Sequence, residues 1–180
     1  DLKNAIILIR DTYGNNVYVA ENAYCYTAED GDGSSNSVEG TGDLAEGYSA
    51  SVQGQANEVR DVCAAANEAG AEGIFYWEGT WIPVGPADAD NSAIWEKYGS
   101  GWASSYASDY DPKDAGQYYG GCSWDNQAMF DFTGHPLASL NVFKYLKYGA
   151  TAPLTVESIP ALTVSCNLGT EAELPETVSV

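Results

Sequence analysis

The 180-residue chain contains 26 Asp and Glu but only seven Lys and Arg, which gives a formal net charge of −19. Nucleic acids and anionic membrane surfaces bind clustered positive charge, so this balance argues against both as partners. No apolar run reaches the roughly 18 residues that a membrane-spanning helix needs, whereas a hydrophobic content of 44% is enough to form a core. The length indicates one domain or part of one.

Helices and strands are predicted to alternate in the first part of the chain. Apolar residues at near-helical spacing predict a helix over residues 1–12, and the run VYVAE predicts a strand over 17–21. A polar, Gly-rich loop continues to about residue 52, followed by a helix over 53–68 and a second apolar strand, IFYWE, over 74–78. This order predicts parallel strands joined by right-handed crossovers.

The second part of the chain is dominated by a very long loop over residues 79–134, and loops of this length are usually functional or contain small elements of their own. A helix is predicted over 136–147, with Pro136 in its first turn. From residue 151 the sequence is rich in Val and Thr and has no helical period, which is typical of a linker leading into a β-sandwich. Because two strands are too few for a stable sheet, we interpret the chain as the closing part of a larger barrel.

Each predicted strand ends in a glutamate, Glu21 in the first and Glu78 in the second. The carboxyl ends of barrel strands form the rim where these folds build their active sites. In retaining glycosidases one carboxylate attacks the anomeric carbon, and a second, about 5–5.5 Å away, serves as acid and base. We predict that Glu21 is a catalytic nucleophile, against the alternative of a surface glutamate that merely ends a strand. Glu78 is predicted to support substrate binding rather than to be the second catalytic group.

Oxygen-bearing side chains alternate in the loop after the first strand, at Asp30, Asp32, Ser34 and Asn36. Calcium-binding loops begin with this D-x-D-x-S-x-N spacing, and calcium takes six to eight oxygen ligands. The chain departs from the helix–loop–helix calcium motif further on, because Thr41 stands where that motif has a glutamate. We therefore predict a calcium site that distant ligands complete; an acidic turn without metal is the alternative.

Aromatic side chains cluster around the second strand and the loop behind it. Aromatic faces pack against the C–H faces of sugar rings, and their polar edges can bond hydroxyl groups. Trp77 and Trp81 lie at or near the strand end and are predicted to form a sugar-binding platform beside Glu78. Trp95 and Trp124 are predicted to fill the core beneath the loop.

The cysteines and the single histidine do not form a familiar catalytic or metal-binding motif. No C-x-x-C pair is present, which argues against a zinc site and favours free thiols at all four cysteines: Cys25, Cys63, Cys122 and Cys166. His135 precedes a proline at a predicted helix start and is assigned a capping or packing role. The chain has no nucleophile elbow and no phosphate-binding Gly-rich motif.

Five segments, in order, together resemble glycoside hydrolase family 53, the arabinogalactan endo-β-1,4-galactosidases or galactanases. They are VYVAENAYCYTAEDGDGSSN, VQGQANEVRDV, GIFYWEGTWIPVG, WEKYGSGWASSYASDYDP and GGCSWDNQAMFDFTGHPLASLNVFKY. The resemblance extends over about residues 1–149 and implies an α/β fold, the C-terminal part of a (β/α)8 TIM barrel with strand seven at 17–21 and strand eight at 74–78. Residues 150–180 resemble the start of a bacterial immunoglobulin-like repeat.

The resemblance also implies roles for individual residues. The family nucleophile stands in a V-A-E-T-type motif at the end of the seventh strand, which falls on Glu21; here Asn22 follows where threonine is usual. Bacterial members bind calcium in the next loop, at positions that match the four alternating oxygen-bearing residues, with Ser34 in place of a frequent histidine. The acid/base of the family lies on the fourth strand, which is expected to precede this chain.

These implications define the expected function. The chain is expected to be part of a secreted or cell-surface, retaining endo-β-1,4-galactanase that hydrolyses the galactan side chains of pectin, with calcium as a structural cofactor. Since a complete TIM barrel needs roughly 250 residues, the chain is expected to require the missing N-terminal part of the barrel for activity. Two alternatives remain: a non-catalytic carbohydrate-binding or adhesion protein on the same barrel, and a calcium-dependent interaction module.

Overall fold

The computed structural model describes residues 1–40, 42–98, 104–117 and 120–149. Residues Asp1–Tyr148 form one compact unit. The predicted linker and β-sandwich start at 150–180 lies outside the described residues. None of the helices in the described part of the chain is long and apolar enough to cross a membrane.

Within the described residues, four α-helices and two β-strands follow one another. They are α1 (Leu2–Tyr13), β1 (Tyr18–Asn22), α2 (Val52–Glu68), β2 (Gly73–Tyr76), α3 (Ser92–Tyr98) and α4 (Val142–Tyr148). The helices predicted over 1–12 and 53–68 are confirmed. Gly14, at φ +66°, ends α1 in the left-handed conformation that glycine adopts without steric cost, and the Ser51 side chain caps the first turn of α2 by accepting a hydrogen bond from the Gly54 N–H.

The two strands pair in parallel, as predicted, but their ends differ from the prediction. The pairs are Tyr18 with Gly73, Val19 with Ile74 and Asn22 with Tyr76, and the register is irregular between Val19 and Asn22. β2 ends at Tyr76, so the prediction that the strand runs to Glu78 is wrong by two residues. The chain turns at Glu78, whose φ of +53° lies in the left-handed region and is incompatible with an extended strand.

The C-terminal helix also begins later than predicted. Pro136 is extended and forms a β-bridge with Phe130, so it is not in the first turn of a helix as the sequence suggested. A 3₁₀ turn over Ala138–Asn141 follows, and α4 begins at Val142. The buried hydroxyl of Ser139 in this turn donates a hydrogen bond to the Gln55 side chain of α2, a tertiary contact that local helix signals do not report.

One face of the sheet packs against the helices. Two small cores form there: the first contains Ile6, Ala66 and Ala69 with Val17, Val19 and Ile74, and the second contains Val59, Met129 and Val142 with Tyr76 and Leu140. The opposite face is uncovered in the described part of the chain, where Tyr18 and Phe75 are 53% and 62% exposed. The described part of the chain therefore covers only one face of the sheet.

Candidate active site

Glu21 and Glu78 lie at the carboxyl ends of the paired strands. Glu21 is the fourth of the five residues of β1, and Glu78 follows β2 by two residues. Burial raises the pKa of the Glu78 carboxyl, and the negative charge of Glu21 raises it further. The charge of Glu21 thus acts on Glu78 across the strand ends, although Glu21 itself is exposed.

The backbone at this strand end is held by two hydrogen bonds. The Trp77 N–H donates to the Asn22 carbonyl at 2.9 Å, which extends the contact between the two strands by one step. The Trp81 N–H donates to the Glu78 carbonyl at 3.0 Å and closes the turn that follows. Non-glycine residues in the left-handed region cost about 1–3 kcal/mol and concentrate at functional sites, so Glu78 marks this turn as a candidate site independently of its charge.

Three indole rings form a tryptophan cluster beside the two carboxylates: Trp77, Trp81 and Trp124. The ring centroids of Trp77 and Trp124 are 4.9 Å apart and nearly perpendicular, at 89°. The Trp81 ring lies 5.7 Å from that of Trp77. Trp124 was expected in the core but is half-buried and packs on Trp77. The three rings together form an aromatic surface of the kind that stacks on sugars.

A buried polar network underlies this surface and connects four segments of the chain. The Tyr76 hydroxyl, at the end of β2, donates to the Gln127 carbonyl at 2.7 Å and accepts from the Tyr24 N–H at 3.1 Å. Gln55 of α2 donates to the carbonyls of Tyr24 at 2.8 Å and Ala128 at 3.0 Å. Burial raises the pKa of Tyr76 to about 12, so the hydroxyl keeps its proton.

Three carboxylates meet beside the predicted calcium loop. The ligand-capable oxygens of Asp30, Asp32 and Asp125 all lie within 4.8 Å of one another. Asp125 belongs to a 3₁₀ turn over Asp125–Gln127 and was not predicted as a ligand from the sequence. Asp125 is far from this loop in the sequence, so no motif spacing links the two. The sequence signalled a possible ligand here only by the acidic residue in the segment GGCSWDN. Its Oδ2 accepts a hydrogen bond from the Gly31 N–H at 3.0 Å.

The donor set of this acidic cluster fits a hard cation. Asp32 is satisfied by backbone donors, since its Oδ1 accepts from the Ser34 N–H at 2.8 Å and its Oδ2 from the Cys122 N–H at 2.7 Å. In contrast, the Oδ1 atoms of Asp125 and Asn36 are buried and accept no hydrogen bond in the described part of the chain. Burial raises the pKa of Asp125, and the charges of Asp32 and Asp30 add to the effect, while the hydrogen bond from the Gly31 N–H opposes it. Buried oxygens without donors beside clustered negative charge are the environment that Ca²⁺ stabilises.

The other residues that the sequence singled out are Ser34, the cysteines and His135. Ser34 is half-buried in the loop after β1, where Gly121 approaches it so closely that a β-carbon on Gly121 would lie 2.2 Å from the Ser34 Cβ. Cys25, Cys63 and Cys122 are free thiols, as predicted, and Cys166 lies outside the described residues. His135 is exposed and its Nδ1 is 2.8 Å from the Thr133 hydroxyl.

Comparison with known proteins identifies the family. Residues 1–143 match the model of glycosyl hydrolase family 53. The chain is 54% identical over 153 residues to a protein of Bacillus subtilis (strain 168) named endo-beta-1,4-galactanase, an alignment that covers 83% of this chain and 35% of that protein. It is 29% identical over 140 residues to an uncharacterized protein in the bgaB 5′ region of Niallia circulans, covering 76% of this chain and 30% of the relative.

A solved structure of the same family has a similar fold. The GH53 catalytic domain of Ignisphaera aggregans superposes with a TM-score of 0.59 at 36% identity, over 80% of this chain and 34% of that chain. The chain thus spans about a third of the length of the relatives that it matches. The family resemblance that the five segments predicted is confirmed, and with it membership in a family of TIM-barrel proteins. The chain belongs to glycosyl hydrolase family 53.

Proposed function

We propose that the chain carries the nucleophile and part of the sugar-binding surface of a retaining endo-β-1,4-galactanase, with β1 and β2 as the seventh and eighth strands of its barrel. One observation carries this proposal: Glu21 and Glu78 lie at the same ends of two paired parallel strands, and Trp77 and Trp81 of the tryptophan cluster flank Glu78 in the chain. The 54% identity to a protein named endo-beta-1,4-galactanase supports galactan as the substrate.

The chemistry assigned to Glu21 is nucleophilic. One of its carboxylate oxygens attacks the anomeric carbon, the glycosidic C–O bond breaks, and the leaving oxygen takes a proton from a general acid. Water then attacks the same carbon, the bond to Glu21 breaks, and the proton lost by water returns to the acid/base group. We place that group on a part of the barrel that precedes this chain, so the 180 residues alone are expected to be inactive.

The remaining residues of the site are assigned to binding. Trp77 and Trp81 would stack on the C–H face of a galactosyl unit. Glu78 would accept hydrogen bonds from sugar hydroxyls, because carboxylate oxygens are strong acceptors. Its left-handed backbone and its contact with the turn through Trp81 fix it beside the nucleophile rather than on a free loop.

Replacing Glu21 by glutamine in the protein expressed from the complete gene tests the proposal. Glu21→Gln keeps the shape of the side chain and removes the nucleophile, so we expect turnover of β-1,4-galactan to fall by about three orders of magnitude or more, with galactan binding nearly intact. Reducing-end release and affinity electrophoresis measure the two quantities. Glu72→Gln is the matched control, because Glu72 is an exposed glutamate that immediately precedes the amino end of β2. Equal turnover in Glu21→Gln and wild type would rule out the assignment.

We also propose that Asp30, Asp32, Ser34 and Asn36, completed by Asp125, bind a structural calcium ion. The ion would neutralise the acidic cluster and join the loop after β1 to the 3₁₀ turn that carries Asp125. The two buried oxygens without donors support this assignment.

Thermal unfolding with and without calcium tests the metal site. Calcium at about 100 times its dissociation constant should stabilise the complete gene product by about 2.7 kcal/mol, with a rise in Tm of several degrees that magnesium does not reproduce. Asp125→Asn should abolish most of this rise, whereas Asp88→Asn, which removes an exposed carboxylate elsewhere in the long loop, should not. A wild-type Tm that is the same in calcium and in chelator would contradict the proposal.

A further inference from the structure

Glu58 is a buried carboxyl group that the proposed chemistry does not use. It lies on α2 and is 8% exposed. It is the one ionisable side chain among the buried residues of that helix. Burial raises its pKa, and the nearby charge of Asp61 adds to this effect, while a hydrogen bond from Asn22 opposes it. Burying a carboxyl group costs free energy unless a hydrogen-bond partner compensates for the lost contact with water.

The partner of Glu58 is the residue that follows Glu21 in the chain. Asn22 Nδ2 donates to Glu58 Oε2 at 3.2 Å. The Asn22 carbonyl accepts from the Trp77 N–H at 2.9 Å, so the residue is held by its side chain to α2 and by its backbone to the segment after β2. No other described side chain reaches across from α2 to the last residue of β1 with a hydrogen bond.

The need for this second contact comes from the geometry of β1. Strand pairing is irregular between Val19 and Asn22, so the hydrogen bonds between β1 and β2 do not fix the side-chain directions of the residues in between. Glu21 is one of these residues, and its side chain is exposed rather than packed. The direction of its carboxylate therefore depends on how firmly Asn22 is held at the end of the irregular step.

We propose that Glu58 is a positioning residue: by holding the side chain of Asn22, it fixes the backbone at the end of β1 and with it the direction of the Glu21 carboxylate. This role rests on the proposed function of Glu21 as nucleophile. A displacement of about 1 Å at a reacting group can lower a rate by about 100-fold. The hydrogen bond between Glu58 and Asn22 is suited to prevent such a displacement.

Substitutions at both ends of this hydrogen bond test the proposal in the complete gene product. Glu58→Leu removes the acceptor and should lower kcat on galactan by about 10- to 100-fold, with little change in KM. Glu58→Gln keeps an oxygen that can accept from Asn22 and should stay within about threefold of wild type. Asn22→Ala should lower kcat like Glu58→Leu, and the double variant should be no worse than either single variant, because both remove the same bond.

Stability measurements separate this role from a merely structural one. Removing a buried carboxyl group does not have to destabilise a protein, so Glu58→Leu should keep its Tm at neutral pH while kcat falls. Val59→Ala is the control, since Val59 is the adjacent residue of α2 and is buried in the second core. That variant should lower Tm and leave kcat unchanged.

Each possible outcome of the kcat measurements either supports or overturns the positioning role of Glu58. A kcat of Glu58→Leu equal to that of wild type would overturn the positioning role and leave the proposed function intact. The same conclusion would follow if Glu58→Gln lowered kcat as much as Glu58→Leu does, or if the losses in the double variant were additive. A wild-type protein without activity on galactan would instead overturn the proposed function, and this role with it. A fall in kcat shared by Glu58→Leu and Asn22→Ala, and spared in Glu58→Gln, would support it.

Discussion

Glu78 combines a left-handed backbone with a carboxyl pKa above its usual value. The backbone conformation costs free energy, and so does a half-buried charge near another charge. The hydrogen bond from the Trp81 N–H to the Glu78 carbonyl and the contact between the rings of Trp77 and Trp81 hold the turn in this arrangement. A residue held so closely can present its carboxylate to a substrate without first being ordered by it.

Removing the charge of Glu21 should change the titration of Glu78. Burial is the main cause of the raised pKa and the Glu21 charge is the second, so in Glu21→Gln the pKa of Glu78 should fall toward its ordinary value without reaching it. Carboxyl ¹³C chemical shifts followed against pH measure this, with the Glu78 signal assigned from its loss in Glu78→Gln. Glu72→Gln should leave the titration unchanged. An identical pKa with and without the Glu21 charge would mean that the two groups do not interact.

At the scale of elements, α2 organises the site from beneath. Glu58 and Val59 follow Gln55 by three and four residues, so both lie on the same side of the helix as Gln55. Gln55 contacts the loop after β1, the segment before the last 3₁₀ turn and the turn itself. Glu58 reaches the end of β1, and Val59 packs in the second core. Gln55 and Glu58, through these hydrogen bonds, align the segments that carry Glu21, Trp77 and Trp124.

Loss of the Gln55 amide should destabilise the fold. Gln55→Leu would leave the carbonyls of Tyr24 and Ala128 and the hydroxyl of Ser139 without this partner, and each unsatisfied buried group costs about 1–3 kcal/mol. We expect a loss of about 2–4 kcal/mol in the free energy of unfolding. Urea unfolding of the complete gene product provides the measurement. Gln53→Leu, on the exposed side of the same helix, should change stability by less than about 0.5 kcal/mol; a similar loss in both variants would contradict the role of the network.

Local sequence signals predicted the elements whose ends are set locally. The bounds of α1 and α2 follow from apolar periodicity and from the caps at Gly14 and Ser51. The end of β2 could not be read in this way, because the apolar run continues past Tyr76 while the turn at Glu78 is held by Trp81. The start of α4 was missed for a similar reason: Pro136 suits a first helical turn but pairs with Phe130 instead.

At the scale of the whole molecule, some residues of the candidate site could be predicted from the strand topology, whereas others became apparent only in the folded structure. Glu21 and Glu78 were predicted because parallel strands place their carboxyl ends at one edge. Asp125 was not, since its contact with the calcium loop spans 94 residues of sequence. Glu58 was missed because a buried carboxyl on a helix gives no periodic signal that distinguishes it from an exposed one.

The uncovered face of the sheet follows from the family as well. In a TIM barrel the helices form the outer ring, and the opposite face of each strand points into the barrel. Tyr18 and Phe75 occupy that face, with ring centroids 6.3 Å apart. Their exposure in this chain, which spans about a third of the length of its relatives, agrees with an inward position in the complete fold.

Two hydrogen bonds beside the acidic cluster join parts of the chain that are far apart in sequence. The Gly31 N–H donates to Asp125 and the Cys122 N–H to Asp32, across 94 and 90 residues of sequence. The entropy of bringing these segments together is therefore lost during folding rather than on ligand binding. Under the proposed function, an oligosaccharide would meet segments that are already ordered, and more of its contact energy would be left to hold it there.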